Sequence, residues 1–124
     1  MNLKNKNILL TGGSLGIGKE TAKYLTEKGA NVLITGRSLE RLKKSASYNN
    51  AKTLVFDISN LKEIKEKAKE CIDIFDGKID VLINNAGTGA YRSLDQINIE
   101  DFQKVFNTNV IGLSLLTKEI AELM

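Results

Sequence analysis

The segment NILLTGGSLGIG, Asn7–Gly18, decides how this chain folds. A short apolar run leads straight into a glycine-rich loop, and an amphipathic helical pattern begins as the loop ends. Gly12 permits the sharp turn out of a strand, because glycine tolerates backbone angles that other residues avoid. Gly16 lets a phosphate approach the backbone, and Gly18 lets the helix and strand pack closely. The first amides of the helix then face an anion, so the segment predicts a strand–turn–helix unit that binds a dinucleotide. A structural turn without a ligand is the alternative.

The same unit recurs along the chain. Apolar runs at Asn31–Thr35, Lys52–Phe56 and Ile79–Ile83 lack strict alternation, which is typical of parallel strands buried on both faces. Helical patterns separate these runs, and one follows the last of them. The order β-α-β-α-β-α-β-α predicts an α/β fold, a Rossmann-type doubly wound parallel sheet of about four strands. Residues 1–124 are expected to form a single domain.

Three of the helical patterns have an apolar face. That of the third consists of Leu61, Ile64, Ala68, Ile72 and Phe75. The first carries Ile17, Thr21 and Leu25 on one face and stops at Lys28-Gly29. The fourth begins near Asn98–Glu100 and has a broad apolar face. The residues of that face are Phe102, Val105, Phe106, Val110, Leu113, Leu116 and Ile120.

Composition removes several classes of function. The chain has no histidine and one cysteine, Cys71, which excludes histidine-based catalysis, a zinc site and an internal disulfide. We therefore predict no metal. The net charge of +3 comes from lysines interleaved with glutamates, and aromatic residues for base stacking are few, so nucleic-acid binding has weak support. No apolar run approaches the roughly 18 residues that span a bilayer. A cytoplasmic protein is expected.

Three motifs occur in a fixed order. Thr11–Gly18 reads T-G-x-x-x-G-I-G, Asn84–Gly87 reads N-N-A-G, and Asn109–Gly112 reads N-V-I-G. Together they resemble the short-chain dehydrogenase/reductase family over essentially the whole chain. The resemblance implies hydride transfer between a nicotinamide dinucleotide and a carbonyl or alcohol. It also implies that the fold is incomplete relative to the full family fold.

The resemblance assigns cofactor contacts to residues that follow the strands. In the glycine loop these are Gly12, Ser14, Gly16, Ile17 and Gly18. Asp57 is expected to meet the adenine amino group, with the backbone of Ile58 beside it. A solvated strand-end acid or a helix cap is the alternative for Asp57. The motif residues Asn85, Ala86 and Gly87 are expected to form a backbone floor beside the adenosine ribose.

The end of the second strand predicts which dinucleotide binds. NAD sites place Asp or Glu there to bond the ribose 2′-hydroxyl. Here Gly36 takes that position and Arg37 and Ser38 follow. A guanidinium can pair with a 2′-phosphate and stack on adenine, and the serine hydroxyl can add a bond. NADP(H) is therefore favoured over NAD(H). A solvated loop charge for Arg37 and a plain helix cap for Ser38 are the alternatives.

Of the four catalytic residues that the resemblance implies, Ser, Tyr, Lys and Asn, only the last is matched. Asn109 takes the position that supports a proton-relay water, and a helix-bending structural role is the alternative. The spacing Y-x-x-x-K occurs at Tyr24–Lys28 and Tyr48–Lys52, but both precede N-N-A-G, whereas the pair of the family follows it. We therefore expect a truncated form that holds the cofactor-binding half and is inactive or nearly so alone.

Three hypotheses are consistent with these residues. A partial NADP-dependent oxidoreductase is favoured, because Asn109 is useful only beside a catalytic tyrosine. A non-catalytic nucleotide-binding or assembly module is the second, and a structural partner that acts through the fourth helix without a ligand is the third. The open edge of the fourth strand and the apolar fourth helix predict a homo-oligomer.

Overall fold

The computed structural model describes all residues, 1–124. The strands are β1 (Asn7–Thr11), β2 (Asn31–Gly36), β3 (Lys52–Val55) and β4 (Val81–Ile83). The helices are α1 (Gly16–Glu27), α2 (Leu39–Asn49), α3 (Ile64–Ile74), α4 (Ile99–Phe106) and α5 (Leu113–Ala121). A 3₁₀ turn, Leu61–Glu63, precedes α3, and a π-helical segment, Asn107–Gly112, joins α4 to α5. None of the helices is both long and apolar enough to cross a bilayer.

The four strands pair in parallel in the order β3-β2-β1-β4. The chain winds from β1 out to β3 and then returns past β1 to β4, so the strand order reverses between β1 and β4. Leu9 and Leu33 pack with α3 and α5 on one face, and Ile8 and Leu10 pack with α1 and α2 on the other. This is the predicted doubly wound sheet, and its two covered faces explain why the apolar runs do not alternate.

The start of β4 and the buried face of α1 differ from the sequence prediction. Ile79 is buried but does not pair, so β4 begins only at Val81. The buried face of α1 consists of Gly18, Ala22 and Leu25. Ile17 is 80% exposed, so its predicted place on that face is wrong. The buried face runs through Gly18, so Ile17, one residue earlier, projects about 100° of helical rotation away from it.

The fourth predicted helix begins where expected and then changes its winding. Asn98 accepts from the Asp101 amide at 3.0 Å, and Asp101 accepts from the Asn98 amide at 3.2 Å, which closes a capping box. The π-helical segment shifts the register beyond α4. Phe102 and Phe106 are 52% and 54% exposed, and Leu116 is fully buried. The predicted apolar face is therefore buried only in its second half.

A buried polar network joins α2 to the glycine loop and α1. The Ser45 hydroxyl donates to the Gly13 carbonyl at 2.8 Å and accepts from Asn49 Nδ2 at 2.9 Å. Asn49 Nδ2 also reaches the Lys19 carbonyl in α1 at 3.4 Å. Ser45 and Asn49 are each 1% exposed. The network thus fixes the glycine loop from behind.

Replacing Ser45 with Ala should lower the free energy of unfolding by about 1–3 kcal/mol, because it leaves the buried Gly13 carbonyl without its donor. Urea denaturation measures this change. Ser47→Ala is the matched control, since the Ser47 hydroxyl bonds the Lys43 carbonyl on the exposed side of the same helix. Equal stability losses in the two variants would show that the network does not hold the loop.

The carboxylate of Asp80 anchors the entry to β4. Its Oδ2 accepts from the Asn7 amide at 2.8 Å, and its Oδ1 lies 3.2 Å from Lys78 Nζ. The hydrogen bond from Asn7, with a smaller contribution from Lys78, holds the pKa of Asp80 below its usual value. These contacts tie the start of β4 to the start of β1.

Replacing Asp80 with Asn should therefore destabilise the fold at neutral pH. A carboxyl whose pKa is lowered on folding stabilises the protein above its unfolded pKa, about 3.9, and loses that contribution as pH falls through the folded value. The difference from wild type should shrink in acid, as measured by urea unfolding across the pH range. Asp73→Asn, at an exposed carboxylate outside the ion pairs, is the control. A difference that is constant with pH would contradict the assignment.

Candidate functional site

The carboxyl ends of all four strands open into one groove of about 360 Å³. Ligands of doubly wound sheets bind at this edge, where the strand order reverses. The groove is lined by these predicted contacts: Gly12, Ser14, Ile17, Gly18, Arg37, Ser38, Asp57, Ile58, Asn85, Ala86 and Gly87. It is also lined by residues that were not predicted as contacts: Leu15, Thr35, Gly36, Arg41, Phe56, Thr88 and Thr108. Gly16 and Asn109 are not among the lining residues.

The glycine loop turns as its sequence requires. Gly12 and Gly16 have φ of +72° and +52°, in the left-handed region that favours glycine. A Cβ on Gly18 would collide with the Gly12 carbonyl and the Asn85 side chain. The close approach at Gly18 is therefore to the loops on either side of the groove rather than to a strand. Leu15 provides no side-chain cap for α1, so the first amides of the helix remain available to an anion.

A buried threonine fixes the N-N-A-G loop to the glycine loop. The Thr11 hydroxyl, at the end of β1, accepts from the Asn85 and Ala86 amides, both at 3.1 Å. Asn85 Nδ2 returns a bond to the Gly12 carbonyl at 3.0 Å. The sequence motif contains Thr11, but its hydroxyl gives no sign of these partners until β1 and β4 lie side by side. Both walls of the groove are thus held in one arrangement.

The residues that follow β2, which include Arg37 and Arg41, form the positive side of the groove. Ser38 caps α2, and its Oγ accepts from the Arg41 amide at 3.3 Å, which leaves the hydroxyl hydrogen free to donate. A Cβ on Gly36 would lie 3.3 Å from Leu42 Cδ2 and 3.4 Å from Ser14 Oγ. An acidic side chain at position 36 would therefore be crowded by the side chains of Leu42 and Ser14.

Asp57 lies at the far end of the groove, after β3. Its Oδ1 accepts from the amide and the hydroxyl of Ser59, at 3.0 Å and 2.7 Å. Its Oδ2 has no donor within the protein, so it can accept from an amino group of a ligand. Glu63, not Asp57, precedes α3. The helix-cap alternative for Asp57 is therefore wrong, and Ile58 beside it is buried against the core.

Both polar atoms of the Asn109 side chain are engaged. Oδ1 accepts from the Thr88 amide and Nδ2 donates to the Thr88 carbonyl, each at 2.8 Å. Asn109 lies in the π-helical segment, where Gly112 packs against the Ile58 carbonyl so closely that a Cβ would not fit. The side chain therefore ties this segment to the loop after β4. Its proton-relay role stays a prediction.

No tyrosine lines the groove. The Tyr48 hydroxyl donates to Glu20 at 3.1 Å and accepts from Lys23 at 3.2 Å, on the outer side of α1 and α2. Tyr24 lies beneath Lys28, with 5.4 Å from Nζ to the ring centroid. Tyr91 is 97% exposed. The two Y-x-x-x-K spacings thus lie outside the groove at the carboxyl ends of the strands, as the sequence order indicated.

Comparison with known proteins agrees with this geometry. The family model described as short chain dehydrogenase matches residues 6–124. The chain is 34% identical to the 3-oxoacyl-[acyl-carrier-protein] reductase FabG of Vibrio cholerae over 122 residues, which are 97% of this chain and 50% of that protein. It is 35% identical to an uncharacterized oxidoreductase of Thermotoga maritima over 129 aligned positions, 100% of this chain and 50% of that protein.

Solved structures give the same result. A short chain dehydrogenase/reductase family protein superposes with a TM-score of 0.87 at 32% identity, covering 100% of this chain and 52% of that one. A doubly substituted short-chain dehydrogenase/reductase of Serratia marcescens gives 0.85 at 27% identity, covering 100% and 53%. The chain spans about half the length of the curated relatives it matches. The fold, the three motifs and these matches together show that the chain belongs to the short-chain dehydrogenase family.

Proposed function

We propose that this chain is the NADP(H)-binding part of an oxidoreductase that transfers hydride between the nicotinamide and a carbonyl or alcohol. The observation that carries the cofactor preference is Arg37, in the groove directly after β2, with Gly36 where an NAD site places an acid. The reaction class follows the family. One relative is named as a 3-oxoacyl-[acyl-carrier-protein] reductase, which supports carbonyl reduction.

The donor set of the groove fits such a dinucleotide along its length. The amides of the first turn of α1 suit the pyrophosphate. The backbone of Asn85–Gly87 suits the adenosine ribose, and Ile58 with the free Oδ2 of Asp57 suits the adenine ring and its amino group. Arg37 and Ser38 supply charge-assisted and neutral hydrogen bonds for a 2′-phosphate. The dinucleotide supplies the hydride when bound.

We propose that Asn109 acts on the chemistry indirectly. Its side chain holds the Thr88 backbone, and Thr88 and Thr108 line the nearest part of the groove. A water that relays protons would therefore meet this wall of the groove rather than the bonded amide of Asn109. The bonds support a positioning role for Asn109.

The second candidate is a nucleotide-binding module without turnover. The same groove favours it, because no tyrosine reaches the cofactor edge of these 124 residues and a general acid for the alcohol oxygen is needed. We propose that the 124-residue chain alone binds NADP(H) and reduces carbonyls slowly or not at all. Incubation with NADPH and a panel of 3-oxoacyl thioesters, followed at the nicotinamide absorbance band, tests this expectation, and rapid turnover by the 124-residue chain would overturn the second candidate.

We also propose that the protein works in a reducing, cytoplasmic setting. Cys71 is unpaired and fully buried in α3. Burial raises the pKa of its thiol to about 12, so the sulfur stays protonated and unreactive at neutral pH. A lone structural cysteine of this kind is typical of proteins that need no disulfide.

The exposed half of the long helix supports self-association. Phe102, Phe106 and Val110 follow one another at intervals of four residues, so they form one stripe, and each is about half exposed. The second edge of β4 has no neighbouring strand. Contiguous apolar surface and an open strand edge both favour contact with another chain. We propose a homo-oligomer formed through one of these surfaces.

Replacing Arg37 with Asp should reverse the cofactor preference. The change removes a charge-assisted interaction with the 2′-phosphate, worth about 1.5–3 kcal/mol, and adds an acceptor for a ribose 2′-hydroxyl. Calorimetry with NADP⁺ and NAD⁺ measures the ratio of the two affinities. Lys43→Asp makes the same charge change at an exposed position of α2 outside the groove. An unchanged ratio in the Arg37 variant would remove Arg37 from the site.

Replacing Phe106 with Lys should weaken self-association if the helical stripe forms the interface, because it places a charge in an apolar contact. Sedimentation equilibrium at micromolar concentrations measures the oligomeric state. Tyr24→Lys, at an exposed aromatic residue of α1, is the control. A variant that remains oligomeric would assign the interface to the β4 edge, and a monomeric wild type would overturn the proposal.

A further inference from the structure

The chain contains three arginines, and their surroundings differ. Arg92, outside the groove, is paired, with its Nε 3.1 Å from Asp101 Oδ2. Arg37 and Arg41 both line the groove, and neither belongs to an ion pair of the protein. The two arginines at the candidate site are therefore the two whose guanidinium groups have no carboxylate.

The structure of α2 gives no local reason for a cation at Arg41. The adjacent carboxylate is that of Glu40, whose Oε1 lies 3.6 Å from Lys44 Nζ and forms an ion pair with that lysine. A positive side chain in the first turn of a helix is disfavoured by the helix dipole. Any basic residue that served only for solubility would be better placed further along the helix.

The carboxylates that line the groove do not balance the positive charges of Arg37 and Arg41. Asp57 is the one carboxylate among the lining residues, and one of its oxygens is bonded to Ser59. Arg37 and Arg41 carry two positive charges against that single negative charge. Ser38 lies between them in sequence. Its oxygen accepts from the Arg41 amide, and its hydroxyl hydrogen has no acceptor within the protein.

We propose that Arg41 is a second ligand of the 2′-phosphate and a residue that determines specificity for the phosphorylated dinucleotide, an inference that rests on the proposed NADP(H) function. A phosphomonoester carries close to two negative charges and three acceptor oxygens at neutral pH. Two guanidinium forks and one hydroxyl match that charge and that number of acceptors. The backbone of Arg41 fixes the serine while its side chain meets the same ligand.

The test compares Arg41→Gln with Lys43→Gln in the full chain. Both variants remove one positive charge from α2, but only Arg41 lines the groove. Calorimetry or NMR titration is carried out with NADP⁺, NAD⁺, adenosine 2′-monophosphate and inorganic phosphate. Loss of one charge-assisted bond should weaken NADP⁺ and adenosine 2′-monophosphate about tenfold in the Arg41 variant and leave NAD⁺ unchanged. The Lys43 variant should match the wild type for every ligand.

Each contrary outcome has a distinct meaning. A wild type that prefers NADP⁺, together with an Arg41 variant that keeps wild-type NADP⁺ affinity, overturns the inference and leaves the proposed function standing. Equal losses for NADP⁺ and NAD⁺ also overturn it, because they indicate that Arg41 only supports the fold. If inorganic phosphate binds as tightly as adenosine 2′-monophosphate, the residues form a general anion site and the inference is overturned. A wild type without preference for NADP⁺ removes both the proposed function and the role of Arg41.

Discussion

The contact on which the rest of the structure depends is the junction between the glycine loop and the N-N-A-G loop. Without a Cβ on Gly18, the Gly12 carbonyl and the Asn85 side chain come together at the point where the strand order reverses. The buried Thr11 hydroxyl closes the junction by accepting two amides of the second loop. Two part-buried amides that would otherwise lack a partner are thereby satisfied. These bonds hold the loops that follow β1 and β4 in one arrangement, and both loops line the groove.

A second constraint runs through α2. Its buried face holds the Gly13 carbonyl through Ser45, and its first turn carries Ser38 and Arg41 at the positive side of the groove. One helix therefore sets the position of both the loop suited to a pyrophosphate and the residues suited to a 2′-phosphate. This arrangement gives a physical reason why cofactor selectivity and loop stability should be linked in this chain.

The fold could be predicted from periodicity and glycine placement, because strands buried on both faces and alternating helices allow few other arrangements. The resemblance of the three motifs to the family, rather than periodicity, supplied most of the candidate contacts, and most of those residues line the groove. Ile17 was misplaced because the face predicted through Ile17, Thr21 and Leu25 is offset from the buried face, which runs through Gly18. The two bonds from Asn109 to Thr88 could not be predicted, because Thr88 lies in a loop distant in sequence.

The sequence by itself determined the order of the elements, the sharp turn at Gly12 and the absence of an acid at Gly36, because these depend on local backbone freedom and on which side chains exist. Only the tertiary structure decided that Arg41 lines the groove together with Arg37 and that both polar side-chain atoms of Asn109 are hydrogen-bonded to Thr88. Such contacts depend on how separate elements pack. A linear pattern states which groups a chain possesses, and packing decides which of them remain free for a ligand.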